Sequence, residues 1–495
     1  MFKNSEKFAE IAFIIGIIIS LFSVFFLIPC LVSLIYEEST YKIFLVVGFF
    51  SLFFGLTTAF FFKNPTHIDK SKKELQPRDG FLLVVMVWIT LSLISAAPFY
   101  FEFEDISFVA ALFEAVSGLT TTGATVFSGL DQMSKGILIW RALLQWIGGM
   151  GILVLTIAIL PLLGVGGMQV FRAEASGPMK DKKLTPRIAE TAKALWTIYL
   201  VLTLVCVFCY WLAGMSFFDS VAHAFTTISI GGLSTHDLSI GYFNNPIIEI
   251  TAIFFMILAG MNFTLHFSAV RNFTLSYYWK SLENRCFLIV LLFGVIFIFF
   301  SLNSPLHFDS FQEKVRSVFF NVVSIATTTG YATVDYGLWS PVTFSLMLLL
   351  SCFTTSSGST GGGVKMIRII IMFKQAGREL SRTMHPHAII PLKIGESSIP
   401  NKVVMAVLAF MFFYLVTLLV TFFLLMLTGL SAGTALSASL ACLNNLGPAL
   451  FELGPTSNYG SLNDNQLSIL FIAMFLGRLE LLTIFVFFSG VYWRK

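Results

Sequence analysis

Four stretches of the chain place hydroxyl or amide side chains around a glycine: FEAVSGLTTTGATVFSG, AHAFTTISIGGLSTHD, FFNVVSIATTTGYATVDYG and SASLACLNNLGPALFELG. Aligned on Gly123, Gly231, Gly330 and Gly447 they recur at intervals of 108, 99 and 117 residues. Each begins as a short apolar helix and ends as a polar strand. An extended strand at membrane depth is tolerated only where protein buries it or where it lines a watery cavity. There its carbonyls can replace the hydration shell of a cation. Glycine lets such strands approach one axis and adopt backbone angles other residues avoid. One copy alone would read equally well as a polar turn; four copies in the same place between apolar segments do not. The strands from Thr120, Ile228, Thr327 and Asn444 onward hold no Lys or Arg, so the chemistry favours a cation over an anion.

The elements that must hold these strands are membrane helices. The chain has 495 residues, 56% hydrophobic and 12% charged, with a mean hydropathy of +0.85, a composition that only a polytopic membrane protein accommodates. Spans are expected at about 11-35, 43-62, 81-100, 137-163, 195-214, 247-270, 287-302, 342-372, 403-428 and 467-491, ten in all and without a cleavable signal. With the N-terminus inside, the basic residues collect on the cytoplasmic side, leaving only Lys42, Lys135, Arg141, Lys314, Arg316 and Arg478 elsewhere. Both termini are therefore expected to be cytoplasmic. The opposite side is acidic, with Glu37, Glu38, Glu102, Glu104, Asp105, Asp131, Asp237 and Asp309, which would concentrate cations. Each glycine has one span before it and one after it, which defines a fourfold repeat of span, re-entrant helix, strand and span. Starts for the second to fourth short helices are read at Asp219, Asp309 and Ser431. Their C-terminal ends would face the pore interior and favour a cation there.

A second constellation lies in the segment 342-372, too long for one span and interrupted by TTSSGSTGGG. Gly358, Ser359, Thr360, Gly361, Gly362 and Gly363 are costly to hold as helix at roughly 1 kcal/mol per glycine. The run is read as an unwound loop below the strands, able to block the path. Arg478, a cation in the last span, is its expected partner. Glu480 sits two residues away on another helix face and would pair poorly with it. Lys365 and Arg368 are read as snorkelling to the headgroups, with a second role in facing a cytosolic partner through the basic run from Lys365 to Lys393.

Other candidates are weaker. Cys206 and Cys209 form a CVFC inside an apolar helix without a second ligand pair, and packing is the expected role. His385 and His387 lack companion metal ligands, and His223 and His266 are expected to be hydrogen-bonded packing residues. GSTGGGVK lacks the ending of a phosphate-binding loop and no HExxH occurs, so an enzyme is not expected. Coupled transport with protons or sodium is the alternative to a passive gated pore; Glu249 and Glu480 are its only intramembrane carboxylate candidates.

Taken with MNFTLHFS at 261-268, SSGSTGGGVKMIRI at 356-369 and LGRLELLT at 476-483, the four glycine-centred loops resemble the bacterial TrkH/TrkG potassium-uptake subunits, within the superfamily that includes KtrB. The resemblance covers nearly the whole chain. It implies an all-α polytopic fold: two peripheral helices (1-78), then four pore repeats at 79-192, 193-284, 285-397 and 398-495 around a central path. It implies potassium as the transported ion with no organic cofactor, a bacterial inner-membrane location, homodimerisation, and a cytosolic nucleotide-binding regulatory subunit of TrkA type. It also implies that Arg478 and the glycine-rich loop form the intracellular gate. Coupled potassium symport, including a KtrB-like variant, stays open as the alternative. The chain departs from the TVGYG of potassium channels in every repeat. Carbonyl ligands are expected just before each glycine, at Thr121 and Thr122, Ser229 and Ile230, Thr328 and Thr329, and Asn445 and Leu446. Pro448 and the amides of Asn444 and Asn445 break fourfold equivalence, so fewer ion sites and moderate selectivity are expected.

Overall fold

A computed structural model describes residues 2-63, 77-158, 184-302, 308, 310-395 and 397-488. Almost all of the regular structure is helix, joined by one two-stranded antiparallel hairpin, Lys393–Ile394 with Ser397–Ser398. The architecture is therefore all-α. Among the described residues, six helical segments are long and apolar enough to cross a membrane: Phe8–Ile35, Tyr41–Phe61, Asp79–Glu102, Ala192–Leu212, Leu282–Ser301 and Asn401–Leu427. A seventh is the pair Pro246–Gly260 and Phe263–Arg271, bent by 96° at Met261 and Asn262.

The remaining expected spans are shorter or divided. Lys135–Ala158 fills most of the 137-163 segment, whose end lies outside the described residues. The 342-372 segment is two helices, Pro341–Phe353 and Met366–Met384, with twelve residues between them. The last is Asp464–Arg478 followed by Leu482–Phe488, broken at Glu480 and Leu481, whose φ values are positive at 56° and 35°. The basic stretches 64-76 and 164-183 and the acid Asp309 lie outside the described residues.

Many long helices are apolar on every side, and their outward faces carry side chains such as Phe49, Phe53, Leu204, Phe293, Leu415 and Phe423. That is the surface a lipid solvent requires, so inter-helix cohesion must come from close packing rather than water exclusion. Small residues provide it in the N-terminal pair. A Cβ at Gly55 would meet Gly16 O at 2.8 Å, and one at Gly16 would meet Gly55 O at 2.8 Å. The pair is fastened to the rest of the protein by Trp140, stacked on Phe26 at 4.4 Å. Glu38 adds a second tie by accepting hydrogen bonds from the free amides of Lys135 (2.6 Å) and Gly136 (3.0 Å) at the start of the helix Lys135–Ala158.

Four further helices are short: Phe108–Leu119, Phe217–Ile228, Phe311–Ala326 and Ala432–Leu443. Each ends at the inner buried core and leads directly into one of the glycine-centred strands. Their starts share one device. Ser107, Ser216, Ser310 and Ser431 have extended ψ, and each hydroxyl accepts from the backbone amide three residues on. Asp219 is thus the third helical residue of the second copy rather than its cap, and Ser310 rather than Asp309 caps the third.

Candidate ion pathway

The four strands begin with the same backbone step. Thr121, Ile230, Thr328 and Asn445 have φ values of 53°, 56°, 64° and 53°. The amides of these four residues each bond the carbonyl three residues back, and the next amides, of Thr122, Gly231, Thr329 and Leu446, bond the carbonyl five back. A left-handed residue after a helix end turns the chain sharply, here from the short helix into the strand. Counting from this step, the equivalent glycines are Gly123, Gly232, Gly330 and Gly447. Alignment on Gly231 is therefore one residue out of register. Ile230 and Gly231, rather than Ser229 and Ile230, match Thr121 and Thr122, and Ser229 matches Thr120, Thr327 and Asn444. The consecutive glycines 231 and 232 made the two registers indistinguishable in the sequence.

These glycines interlock in a closed ring. A Cβ at Gly123 would overlap Gly231 O, and one at Gly232 would overlap Thr329 O. At Gly330 it would meet Pro448 Cδ at 2.7 Å, and at Gly447 it would meet Gly123 O at 2.6 Å. The first strand thus leans on the second, the second on the third, the third on the fourth and the fourth on the first. Four unlike segments of one chain surround a common axis at backbone contact, which is possible only without side chains at those positions.

Thr121, Thr122, Thr328, Thr329, Ile230, Asn445 and Leu446 are all at most 1% exposed. Among the described residues, their carbonyl oxygens and that of Ser229 accept no hydrogen bond. Buried carbonyls without donors are uncommon, and each such group needs an explanation. The Gly231 carbonyl differs, because Gln145 Nε2 donates to it at 2.7 Å while Gln145 Oε1 accepts from Leu233 N at 3.1 Å. The Gly447 carbonyl accepts from Tyr459 Oη at 2.9 Å. Hydroxyl pairs, Thr120 with Thr122 and Thr327 with Thr329, both at 2.8 Å, stiffen the first and third strands. In the fourth, Asn445 Nδ2 reaches Thr122 Oγ1 at 3.1 Å and Met474 O at 3.0 Å.

Directly against the start of these strands lies the glycine-rich loop. Thr360 Oγ1 donates to Ile228 O (3.0 Å), Gly362 N donates to Thr328 Oγ1 (3.0 Å), and a Cβ at Gly362 would overlap Asn444 O. Three of the four strand entrances are touched by one loop. Gly358 and Gly363 have φ of 76° and 77°, which fits the non-helical path. Arg478, fully buried, donates from Nη1 to Thr360 O at 2.9 Å. Its Nε and Nη2 have no hydrogen-bond partner among the described residues.

Two flanking motifs hold the loop. At the 96° bend, Gly260 O accepts from Ser356 N (3.0 Å) and Phe263 N donates to Gly358 O (3.0 Å). A Cβ at Gly358 would press on Asn262 Oδ1 at 2.9 Å. On the other side, Gly477 packs against Leu443 O so closely that a Cβ would overlap it. MNFT, SSGSTGGG and LGRLE, far apart in the chain, thus meet at one place.

Lys365 and Arg368 do not snorkel. Lys365, at φ 70°, turns back so that Nζ donates to Gly361 O at 2.6 Å and lies 3.3 Å from Ser359 Oγ. Arg368 is buried and pairs with Glu480, with its guanidinium 3.9 Å from the Phe410 ring centroid. The break after Arg478 redirects Glu480 toward Arg368. Glu249 pairs with Arg316 at 3.0 Å. His266 is held by Tyr278 Oη at 2.7 Å and Leu258 O at 2.9 Å, and His223 is similarly bonded, as expected for packing residues. Sequence reasoning missed the ion pair of Glu114 with Arg141 (2.7 Å) and the reach of Tyr331 Oη to Thr227 Oγ1 (3.1 Å) behind the second strand. Arg141 carried a signal, being one of six cations outside the cytoplasmic stretches.

A family model described as "TrkH: Cation transport protein" matches residues 48–495. The "Trk system potassium uptake protein TrkH" of Vibrio parahaemolyticus is 45% identical, covering 99% of this chain and 100% of the relative. The Escherichia coli K12 proteins named Trk system potassium uptake protein TrkH and TrkG are 43% and 38% identical, each covering 99% of this chain and 100% of the relative. A crystal structure of the potassium transporter TrkH from Vibrio parahaemolyticus superposes with a TM-score of 0.89 at 41% identity, covering 98% of this chain and 100% of that one. These relatives are named as transport proteins, not enzymes. The chain belongs to the TrkH family of cation transport proteins.

Proposed function

We propose that this protein carries potassium inward across a bacterial inner membrane through a gated pore. The observation that carries the reading is the closed ring of four glycines with carbonyls before it that, Gly231 apart, have no donor among the described residues. Carbonyl oxygens are strong ligands for a cation stripped of water. The candidate ligands are the carbonyls of Thr121, Thr122, Ile230, Thr328, Thr329, Asn445 and Leu446, with Ser229 in the preceding layer. Engagement of Gly231 O by Gln145 removes one member of a ring, consistent with fewer sites than a tetrameric channel offers.

The loop from Gly358 to Gly363, tied to Arg478, is the gate in this reading, and the described arrangement is its closed form. A fixed cation beside the path also repels an incoming cation. The carboxylates of Glu249, Glu480 and Glu114 are each in an ion pair with an arginine, which supports passive permeation over coupling. In this reading both termini lie in the cytoplasm, which the segregation of the basic residues supports, and the chain crosses the membrane ten times. The reading includes a homodimer and a TrkA-type cytosolic regulator, which membership of a Trk family supports; the basic helix Met366–Met384, continuous with the loop, is where such a regulator would pull.

The test is ion uptake in cells lacking their own potassium uptake. Expression of this chain should restore potassium accumulation, and Gly330→Ser should lower the preference for potassium over sodium. An unchanged preference in Gly330→Ser, at normal expression, would refute the filter assignment. A reversal potential that follows external pH would refute passive permeation.

A further inference from the structure

The residue nine positions before each filter glycine, counted in the corrected register, is Glu114, His223, Asn321 and Ala438. The first three are polar, and all three are at most 1% exposed. Each reaches across the turn to the strand two or three residues after the glycine. Glu114 accepts from Thr125 Oγ1 (3.0 Å) and Val126 N (3.0 Å). His223 lies with Nε2 3.0 Å from Ser234 Oγ, and its Nδ1 donates to Asp219 O at 2.9 Å. Asn321 donates to Thr333 Oγ1 (2.9 Å) and accepts from Thr333 N (3.3 Å). In the fourth copy the alanine cannot do this, and the neighbouring Ser437 accepts from Leu450 N at 3.3 Å instead. The same cross-turn tie is therefore made four times by four different chemistries.

The ties are unequal. The first is anchored by Arg141, whose Nε donates to Glu114 Oε1 (2.7 Å) and Nη2 to Thr125 Oγ1 (2.9 Å). Arg141 Nη1 also donates to Ser234 O at 3.2 Å, so one guanidinium joins the first strand to the second. Charged hydrogen bonds in a buried setting are the strong ones, whereas the fourth copy has a single long neutral bond. Hydrogen-bond strength thus falls from the first and second strands to the fourth.

We propose that these side chains are positioning residues for ion selection, a proposal that rests on reading the strands as the filter. They touch no ion. They fix where the strand beyond each glycine runs, and hence how far the carbonyls before it can close around an ion smaller than potassium. The Glu114–Arg141 pair makes the cross-turn ties of strands one and two the strong ones, and that of strand four is the weakest.

The experiment is potassium and sodium uptake by the full chain in cells lacking their own potassium uptake, for Glu114→Gln, Asn321→Ala and Ser234→Ala beside Gly330→Ser. The readout is the ratio of the two uptakes, because a merely misfolded fraction lowers both ions together and leaves the ratio alone. Loss of one net hydrogen bond predicts a fall of about fivefold in the ratio for Ser234→Ala, and larger falls for Asn321→Ala, which loses both bonds to Thr333, and for Glu114→Gln. Asn321→Ala and Ser234→Ala decide the matter if Glu114→Gln does not accumulate. Ratios unchanged in both, with Gly330→Ser lowered, overturn the proposal and leave the filter standing. An unchanged ratio in Gly330→Ser as well overturns both.

Discussion

Replacing Arg478 by Ala should open the pathway, and the structure sets the size of the effect. The side chain holds the loop through one charge-assisted hydrogen bond, Nη1 to Thr360 O at 2.9 Å. Such a bond is worth about 1.5–3 kcal/mol net. If the bond exists only in the closed form, its loss raises the open-to-closed ratio by about 10- to 150-fold, since each 1.4 kcal/mol is a factor of ten. Against this, Nε and Nη2 are buried without partners among the described residues, so some closed-state burial cost disappears with the side chain. The lower end, about tenfold, is therefore expected where the closed form predominates. The assay is rubidium uptake, as a stand-in for potassium, at matched amounts of protein in the membrane. Two companions separate the tie from the charge. Arg478→Gln removes the charge but keeps a donor, and should open the pathway less than alanine. Thr360→Val removes the hydroxyl bond to Ile228 O and should raise uptake by about fivefold, the worth of one neutral hydrogen bond. Uptake in Arg478→Ala at or below that of the parent, with normal protein amounts, would refute the gate.

Three other outcomes follow. Gly232→Ala should impair uptake far more than Gly231→Ala: the first Cβ meets the Thr329 backbone at φ 75°, the second only the Gln145 side chain, and equal effects would refute the register. Glu480→Gln should destabilise the protein by about 3–5 kcal/mol by stranding buried Arg368, read as a lower melting temperature in detergent, and the double change Arg368→Leu with Glu480→Leu should cost less. His236, past the second strand, is 2.5 Å from Asp131 Oδ1 and stacked on Tyr242. Burial alone would lower its pKa, but the carboxylates of Asp219, 3.5 Å from Nε2, and Asp131 outweigh this and raise it above the ordinary 6.5. Its raised value makes the stabilisation full below the unfolded pKa and lost as pH rises through the folded one. The melting temperature should therefore drop on going from about pH 6 to about pH 9, and His236→Gln should flatten that slope.

How much of this was legible in the sequence depends on distance along the chain. The strands, the broken 342-372 segment and the lone cation Arg478 were visible because composition and local spacing encode them. The register of the second strand was not, since Gly231 and Gly232 fit the same local pattern and only the backbone turn at Ile230 separates them. Glu114 and Arg141 are 27 residues apart, and no periodicity links a short helix to the span that follows its strand. Lys365 and Arg368 were misread for a related reason. Basic residues at the start of a cytoplasmic helix ordinarily point to headgroups, but the positive φ of Lys365 turns it inward, and the helix break at Glu480 supplies a carboxylate that a continuous helix would have pointed elsewhere. Serine caps at three of the four short helices went unnoticed because more conspicuous aspartates stood beside two of them.

The ring of glycines has a handedness. Each notch receives the following strand, so a side chain added at Gly447 pushes on the first strand, and one at Gly123 pushes on the second. The ring glycines therefore interlock each repeat with its successor in one sense round the axis, like the leaves of an iris, and a chimera that exchanges one repeat must match a different neighbour on each side.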